Sequence, residues 1–375
     1  MSNEYKICSK CIMDNVVAPQ ITFDKDGVCC YCHEYEQKVK LYGYKGVDSD
    51  KRLKQIVSKI KKDGEGKKYD CVLGISGGVD SAYIAYKASE MGLRILPVHV
   101  DSGFNTEVAE ENIRKICDKL KLDLQVVKID WDVMKELQRA YMFSGLANLD
   151  VPQDHAFVAA VYDFAIKNDI KYMLNGSNLA TEGILPPSMG HFLIDFKHIK
   201  SVYSKNGRGR KIFSKYPHFS LMKYYWYQKK IVRVNMLNYL PYSKKQAIEV
   251  LEKEFGWKYY GGKHFESIIT RFLQAHYLPE KFGLDKKRAH VASLVVGGEM
   301  TREQALAEME DKSDYTNEQM IKDRDFVLDK LDISMSDWKK IMTSPNKKDS
   351  EYAGSMKYIK FLTRIKRKKT ISKNK

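Results

Sequence analysis

The sequence has no uninterrupted apolar run of membrane-spanning length, and its N-terminus is polar and soon cysteine-rich, unlike a signal peptide. These absences predict a cytoplasmic protein with no membrane span. The chain also lacks the GxxxxGK[ST] motif, so it has no Walker-type phosphate loop. A glutaminase cysteine is missing too, because Cys71 falls in a predicted buried strand and Cys117 in a helix without an evident catalytic base.

The composition is that of a globular protein with two or three domains, since 375 residues contain 43% hydrophobic and 30% charged side chains. The formal net charge is +16, but residues 352–375 hold nine Lys/Arg and no Asp/Glu, which leaves +7 for the rest. Such a run is usually a solvated terminus, so the charge is weak evidence for nucleic-acid binding. We assign residues 351–375 to a basic tail.

Four of the seven cysteines are paired as Cys8-x2-Cys11 and Cys29-x2-Cys32, with 17 residues between the pairs. This spacing predicts a zinc ribbon over residues 1–45, in which four thiolates surround one structural Zn²⁺. The alternatives are two redox pairs or chance spacing. Cys30 lies inside the second knuckle and is treated as a spare, although the doublet leaves open whether Cys29 or Cys30 is the third ligand. An amphipathic basic helix and a soft linker follow, over residues 46–68.

The segment 74–81, Gly-Ile-Ser-Gly-Gly-Val-Asp-Ser, connects an apolar run of strand type to an alanine-rich helical stretch. Glycines allow the backbone to approach phosphate oxygens, and the first N–H groups of a helix attract anions. Ser76 and Ser81 add hydroxyl donors. Asp80 fits beside phosphates only if it orients the loop or meets a metal ion. The alternative is a glycine turn that binds nothing.

Strand and helix patterns alternate after residue 69. Strands are predicted over 70–75, 94–100, 124–129 and 171–174, and helices over 81–91, 107–120, 133–142 and 155–168. This alternation predicts an α/β fold with a doubly wound parallel sheet over residues 69–205. Ligands of such sheets bind at the carboxyl ends of the strands.

The predicted strand ends are polar. Asp101 and Asn105 follow the second strand, where a turn or helix cap explains them as well as ligand binding does. The stretch 175–182 after the fourth strand is longer and more polar than a cap requires, which favours a binding role for Asn175, Gly176, Ser177, Asn178 and Glu182. Asp154 and His155 open a later helix, and capping explains Asp154 equally well.

Residues 206–350 are basic, aromatic and mostly helical by pattern, with a helix over 244–255 and surface helices within 306–331 and 334–342. Basic residues that return to a phosphate cleft neutralise pyrophosphate or a sugar acid. Lys263, His264 and Arg271 follow a glycine turn that can present them, and Arg288 lies in the later cluster Lys-Lys-Arg-Ala-His. For most of these residues a solvated helix face is the alternative.

The motif SGGVDS resembles the PP-loop of ATP pyrophosphatases, which split ATP into AMP and pyrophosphate and adenylate a carbonyl oxygen. The order of ribbon, PP-loop, NGSNLATEG, GGKHFES and KRAH resembles the N-acetyl sugar amidotransferases of bacterial surface-glycan pathways, of the WbpG and PseA type. The resemblance spans nearly the whole chain. It implies adenylation of an N-acetyl amide oxygen, then displacement of AMP by ammonia to give an acetamidino sugar.

The resemblance also implies ATP, Mg²⁺ and Zn²⁺ as cofactors. Cofactor binding is expected from Ser76, Gly77, Gly78, Asp80, Ser81, Asp101, Asn175, Gly176 and Ser177. Catalytic roles are expected for Asp80, Ser76, Lys263 and Arg271, and substrate binding for Asn178, Glu182, His264 and Arg288. The metal ligands are Cys8, Cys11, Cys29 and Cys32. The implied partners are a glutaminase subunit (HisH-like) and an ammonia-channelling barrel subunit (HisF-like), without membrane or nucleic acid.

Two other functions remain open. A PP-loop enzyme that modifies tRNA, by thiolation or lysidine synthesis, would use the positive charge to hold RNA. Sulfur transfer commonly needs a reactive cysteine pair, and Cys71 and Cys117 are distant in sequence but not necessarily in space. The third possibility, a zinc-ribbon RNA-binding protein with a degenerate ATPase domain, conflicts with the intact SGGVDS motif.

Overall fold

The computed structural model describes residues 4–42, 47–190, 195–311 and 313–355. Most of the predicted basic tail, from residue 356 onward, and the boundary near residue 45 lie outside the described residues. Within the described ranges, no helix combines the length and apolarity that crossing a membrane requires.

Five parallel strands form one sheet in the spatial order β3-β2-β1-β4-β5. In chain order they are β1 (Cys71–Gly74), β2 (Ile95–Asp101), β3 (Gln125–Lys128), β4 (Tyr172–Leu174) and β5 (Val232–Val234). Val72 of β1 is in register with Leu96 of β2 and Met173 of β4. The strand order reverses direction between β1 and β4, so the loops that follow these strands diverge and leave a crevice at the sheet edge.

Sixteen helices are seen in the described residues. They are α1 (Cys30–Tyr42), α2 (Val47–Asp63), α3 (Val79–Glu90), α4 (Glu107–Lys119), α5 (Trp131–Met142), α6 (Val151–Lys167), α7 (Leu179–Glu182), α8 (Phe196–Asn206), α9 (Leu221–Lys230), α10 (Lys244–Phe255), α11 (Ile268–Phe272), α12 (Leu278–Phe282), α13 (Lys286–Val296), α14 (Arg302–Glu310), α15 (Asn317–Lys330) and α16 (Met335–Thr343).

The sheet is covered on both faces, which confirms the predicted doubly wound α/β fold. Val72 and Leu96 point to one face, where α5 and α6 pack, while the alternate residues Cys71 and Leu73 point to the other, where α3 and α4 pack. This alternation follows from the two-residue period of a strand. The alanine-rich side of α3 lies close to the sheet because it carries only small side chains.

One strand of the second half was missed, and the predicted surface helices near the C-terminus each bury one face. Strand β5 was not predicted, because three residues within a basic and aromatic stretch carry no period that distinguishes a strand. The helices predicted to lie on the surface near the C-terminus are partly core: Val327 of α15 and Trp338 and Ile341 of α16 are buried against the cluster that includes α5 and α6.

The cysteine-rich N-terminus folds as a small unit held by two isolated antiparallel bridges, Ile7 with Asp14 and Phe23 with Cys29. Its apolar side chains share a core with α13 and α14. Arg302 of α14 donates hydrogen bonds to the carbonyl oxygens of Cys8 and Cys11 at 3.0–3.2 Å. The ribbon is therefore attached to the C-terminal helices.

Candidate active site

Hydrogen bonds within the glycine loop after β1 fix its shape. The Gly78 N–H donates to Ser76 Oγ at 3.2 Å, and Ser81 Oγ donates to the Gly78 carbonyl at 3.1 Å. Gly77 has φ +81°, and a Cβ there would lie 2.4 Å from the Ala109 carbonyl oxygen of α4, so only glycine fits. Helix α3 begins directly after Gly78, which points its first N–H groups into the cleft.

The cleft at this edge of the sheet encloses about 370 Å³, within the range of small-molecule sites. Its walls come from the ends of β1, β2 and β4, from α6, and from residues 260–270. The predicted residues that line it are Ser76, Gly78, Asp80, Ser81, Gly176, Ser177, Glu182, Lys263 and His264. Val98, Val100, Phe157 and Val161 make one side apolar, which suits a flat heterocyclic ring.

Lys263 joins the two acidic residues of the cleft. Its ammonium lies 2.8 Å from Asp80 Oδ2 and 3.0 Å from Glu182 Oε1, and it donates to Thr181 Oγ1 at 2.9 Å. Tyr242 donates a short hydrogen bond to Asp80 Oδ1. Burial alone would raise the pKa of Asp80, but the charge and hydrogen bond of Lys263 outweigh it and leave this pKa below its usual value. The carboxylate is therefore ionised at neutral pH.

The segment 261–267 is held over the glycine loop by the loop that follows β2. Thr106 donates its N–H to the Glu266 carbonyl at 2.9 Å, and Ile268 donates to the Phe104 carbonyl at 2.8 Å. His264 has φ +64°, an unusual value for a residue other than glycine. Residues from the second half of the chain are thus fixed beside the glycine loop and complete the cleft.

The polar residues at the other strand ends divide into cleft-lining and structural groups. Asp101 accepts from the Gly103 N–H at 2.8 Å and serves a turn, whereas Asn105 lines the cleft and donates to His99 Nε2 at 3.0 Å. Asn178 accepts from the Thr181 N–H at 2.9 Å and is the N-cap of α7. Asn175 accepts from the Ser177 N–H at 2.9 Å. The side chains of Asp101, Asn175 and Asn178 therefore accept hydrogen bonds from backbone N–H groups.

The structure does not bring Arg271 and Arg288 into the cleft. Arg271 forms a two-pronged ion pair with Asp323 at 2.6 and 2.7 Å, and Arg288 contacts the Asp14 carboxylate at 3.2 Å and the Ile12 carbonyl at 2.9 Å. The catalytic and substrate-binding roles predicted for them find no support in these positions. Each side chain reaches a buried carboxylate that sequence spacing does not reveal.

Several cleft residues were missed. Tyr260 accepts from the Val79 N–H at 3.2 Å, Lys244 lines the cleft, and Glu266 faces the loop. His290, rather than Arg288, is the member of the KRAH cluster that approaches the site, with its ring 5.7 Å from that of His264. Burial, and then the charges of His264 and Lys263, hold the pKa of His290 well below its usual value. The aromatic residues directly before Gly261 in the sequence could have indicated that Tyr260 lines the cleft.

The four cysteines of the ribbon form a candidate metal centre. The sulfur atoms of Cys8, Cys11, Cys29 and Cys32 lie within 4.8 Å of one another and are buried. Neighbouring sulfurs are 3.6–3.8 Å apart, and a zinc tetrahedron with bonds of about 2.3 Å has edges of about 3.8 Å. Cys30 lies outside this group. The donor set fits Zn²⁺.

Two family models match parts of the chain. Residues 70–165 match the model described as queuosine biosynthesis protein QueC, and residues 266–366 match the C-terminal domain of LPS biosynthesis protein WbpG-like proteins. The first match, the glycine loop and the parallel sheet define a PP-loop domain, which occurs in ATP-using enzymes. The second match confirms the predicted resemblance: residues 266–366, after this PP-loop domain, are similar to the C-terminal domain of WbpG-like proteins.

Two curated relatives match part of the chain. The tRNA-specific 2-thiouridylase MnmA 2 of Fusobacterium nucleatum is 27% identical over 118 residues, 30% of this chain and 34% of that protein. The 7-cyano-7-deazaguanine synthase of Picrophilus torridus is 35% identical over 81 residues, 21% of this chain and 31% of that protein. The chain therefore spans about a third of the length of these relatives.

Two solved structures show a distant likeness at 14% identity. The NH3-dependent NAD synthetase from Campylobacter jejuni gives a TM-score of 0.29 and covers 56% of this chain and 94% of its own. The NMN synthetase from Francisella tularensis gives 0.37 and covers 76% and 97%. The fold assignment rests on the sheet order and the sequence matches, because both TM-scores are low.

Proposed function

We propose that this protein is an ATP-dependent, AMP-forming amidotransferase that converts the N-acetyl group of a sugar into an acetamidino group in bacterial surface-glycan synthesis. One observation carries the proposal. Asp80, at the end of the glycine loop, forms an ion pair with Lys263, with 2.8 Å between Oδ2 and Nζ. Lys263 lies in the segment that directly precedes the WbpG-like region. The nucleotide site and the part of the chain that is typical of glycan enzymes thus share one cleft.

The chain's own groups would hold ATP by its phosphates. Main-chain N–H groups at the start of α3 and the hydroxyls of Ser76 and Ser81 face the cleft and would contact the pyrophosphate. Asp80 and Glu182 offer carboxylate oxygens, the ligands that Mg²⁺ prefers, and would hold the ion through the oxygens that Lys263 does not contact or in place of Lys263. Bound there, Mg²⁺ would neutralise charge on the phosphates. The apolar side of the cleft would take the adenine.

In the first step the sugar's amide oxygen attacks the α-phosphorus, a new P–O bond forms, and pyrophosphate leaves with the electrons of the broken P–O bond. In the second step ammonia adds to the amide carbon, AMP leaves with the original amide oxygen, and the nitrogen loses a proton. Lys263 is placed to stabilise the negative charge that develops in the first step. The other contribution is the alignment of the two substrates.

Ammonia would come from outside the chain. Burial raises the pKa of the Cys71 thiol, and burial together with Asp118 raises that of Cys117 to about 12. Neither is a thiolate at neutral pH, and four other cysteines form the metal cluster. We propose a separate glutaminase subunit and a barrel subunit that resembles the histidine-biosynthesis cyclase. Co-purification with both subunits, without glutamine-dependent activity, would argue strongly against this partnership.

The test is AMP release by the purified protein with ATP and ammonium chloride, comparing N-acetylated sugars with bulk tRNA. Sugar-dependent AMP release that disappears in Asp80→Ala supports the proposal. The match to the 2-thiouridylase makes tRNA modification the second candidate, and AMP release with tRNA but with no sugar would favour it. The raised pKa of both domain cysteines speaks against thiolation.

A further inference from the structure

Glu266 places a carboxylate directly against the phosphate loop. Its Oε1 lies 3.4 Å from Ser76 Oγ, and a Cβ added to Gly78 would lie only 3.1 Å from the same oxygen. Glu266 therefore forms the wall of the cleft that faces the expected pyrophosphate position. Negative charge at this place repels an anionic ligand.

The carboxylate of Glu266 has few hydrogen-bond partners among the described residues. Its second oxygen, Oε2, is fully buried and has no hydrogen-bond partner among the described residues. His264 Nδ1 lies 3.9 Å from Oε1. Burial would raise the pKa of Glu266, but His264 and Lys263 outweigh burial and lower it. Glu266 is therefore ionised and holds its negative charge beside the glycine loop.

The backbone fixes Glu266 in this position. Its carbonyl accepts from Thr106, and the adjacent Ser267 forms an antiparallel bridge with Asn105 on the β2 loop. The main chain at Glu266 therefore stays beside the glycine loop when phosphates enter. A cation between Glu266 and the phosphates removes the conflict, because it binds carboxylate and phosphate oxygens together.

We propose that Glu266 is a ligand of a divalent cation that enters with ATP, through the oxygen that faces the glycine loop. This rests on ATP binding by the loop in the proposed function, and it is independent of the acceptor sugar. Glu266 then makes nucleotide binding depend on the metal: it opposes ATP alone and favours ATP with its cation.

The test is ATP binding to the zinc-loaded protein by calorimetry, with Mg²⁺ and with EDTA. Glu266→Gln should weaken binding about tenfold in Mg²⁺ and strengthen it in EDTA, because one substitution removes both a ligand and a repulsion. Glu111→Gln makes the same charge change on a surface carboxylate that pairs with Lys115 and Lys258, and should alter neither value. Bound Mn²⁺, counted by electron paramagnetic resonance with ATP, should fall in Glu266→Gln alone.

Equal shifts of Glu266→Gln in Mg²⁺ and EDTA, or unchanged Mn²⁺ binding, would overturn the proposal while leaving the proposed function intact. A wild-type protein that binds ATP under neither condition would overturn the proposed function and this inference together. Unchanged far-ultraviolet circular dichroism confirms that the isosteric variant has folded.

Discussion

Lys263 carries the charge balance of the cleft at the scale of single residues. It is only 11% exposed and contacts two carboxylates that are 22% and 25% exposed, those of Asp80 and Glu182. Removing a buried partner leaves the remaining charges uncompensated, which costs more than the pair itself contributes. The charges of Asp80 and Glu182 are thus balanced in part by a single lysine that contacts both carboxylates.

Lys263→Met should lower the free energy of unfolding by about 2 kcal/mol at neutral pH, an order-of-magnitude value reduced for partial exposure. The pKa of Asp80 is lowered in the folded state, so its contribution is present above about pH 4 and is lost as the pH falls through the folded value. Without Lys263 the pKa of Asp80 rises because burial is less well opposed, so the deficit of Lys263→Met should be smaller at about pH 5 than at about pH 7. Urea unfolding measures it.

Lys322→Met is the control, because it removes an exposed i,i+4 partner of Glu318 and should change stability little. Asp80→Asn combined with Lys263→Met should recover part of the loss, since fewer unpaired charges remain. A Lys263→Met variant as stable as the wild-type protein would contradict the argument.

Gly77→Ala tests the close approach in the loop. Gly66 has a similar φ of +75° but nothing within 4 Å of an added Cβ, whereas Gly77 faces the Ala109 carbonyl at 2.4 Å. Gly66→Ala should therefore cost ~1 kcal/mol from backbone strain, and Gly77→Ala a further ~2 kcal/mol from overlap. Thermal unfolding and ATP binding check both, and equal costs would show that overlap contributes nothing.

Sequence reasoning succeeded where the pattern was local. The SGGVDS motif and its flanking strand and helix predict the loop, because its turn is closed by hydrogen bonds between residues two or three positions apart. It failed for Arg271, whose partner Asp323 is 52 residues away, and it missed Tyr242, which reaches Asp80 across 162 residues. Such pairings are decided by packing, which no short motif encodes.

The ribbon, α7 and α13 are linked at the scale of elements. Lys38 of α1 donates to the Gly183 carbonyl at the end of α7 at 3.1 Å, and a Cβ on Gly183 would lie 2.4 Å from the Tyr35 ring. Ser293 of α13 accepts from the Ile184 N–H at 2.9 Å. Because α7 ends at Glu182, the ribbon supports an acidic residue of the cleft.

Loss of the ribbon metal should loosen this support. Cys8→Ser should abolish binding of one zinc ion per chain and lower the melting temperature by on the order of 10 °C, since a structural zinc site contributes folding free energy. Cys30→Ser should keep the metal, because Cys30 lies outside the sulfur cluster. Zinc analysis and calorimetry decide; a Cys30 variant that loses zinc while the Cys8 variant keeps it would contradict the ligand set.

Helix-scale prediction worked for long periodic segments, such as α10, whose bounds match the predicted 244–255. Helix α6 begins four residues earlier than predicted because Pro152 fits its first turn, where no N–H partner is required. The short strand β5 depends on pairing with β4 and has no signal of its own.

At the scale of the whole molecule, no cysteine of the described residues lines the candidate cleft. We therefore predict that the purified chain uses ammonium but not glutamine as nitrogen source, since both cysteines of the PP-loop domain are buried and have raised pKa values. AMP release with each nitrogen source, in the presence of an accepted sugar, measures this. Glutamine use by the chain alone would reveal a nucleophile that this account lacks.

The measurement that tests the central claim most directly follows one oxygen atom. An accepted N-acetyl sugar labelled with ¹⁸O in its amide group is incubated with ATP and ammonium, and AMP is analysed by mass spectrometry. Adenylation of the amide oxygen predicts that AMP carries the label and that the sugar product has lost it. Unlabelled AMP, with the label retained in the sugar, would show that the cleft does not activate this group and would contradict the account.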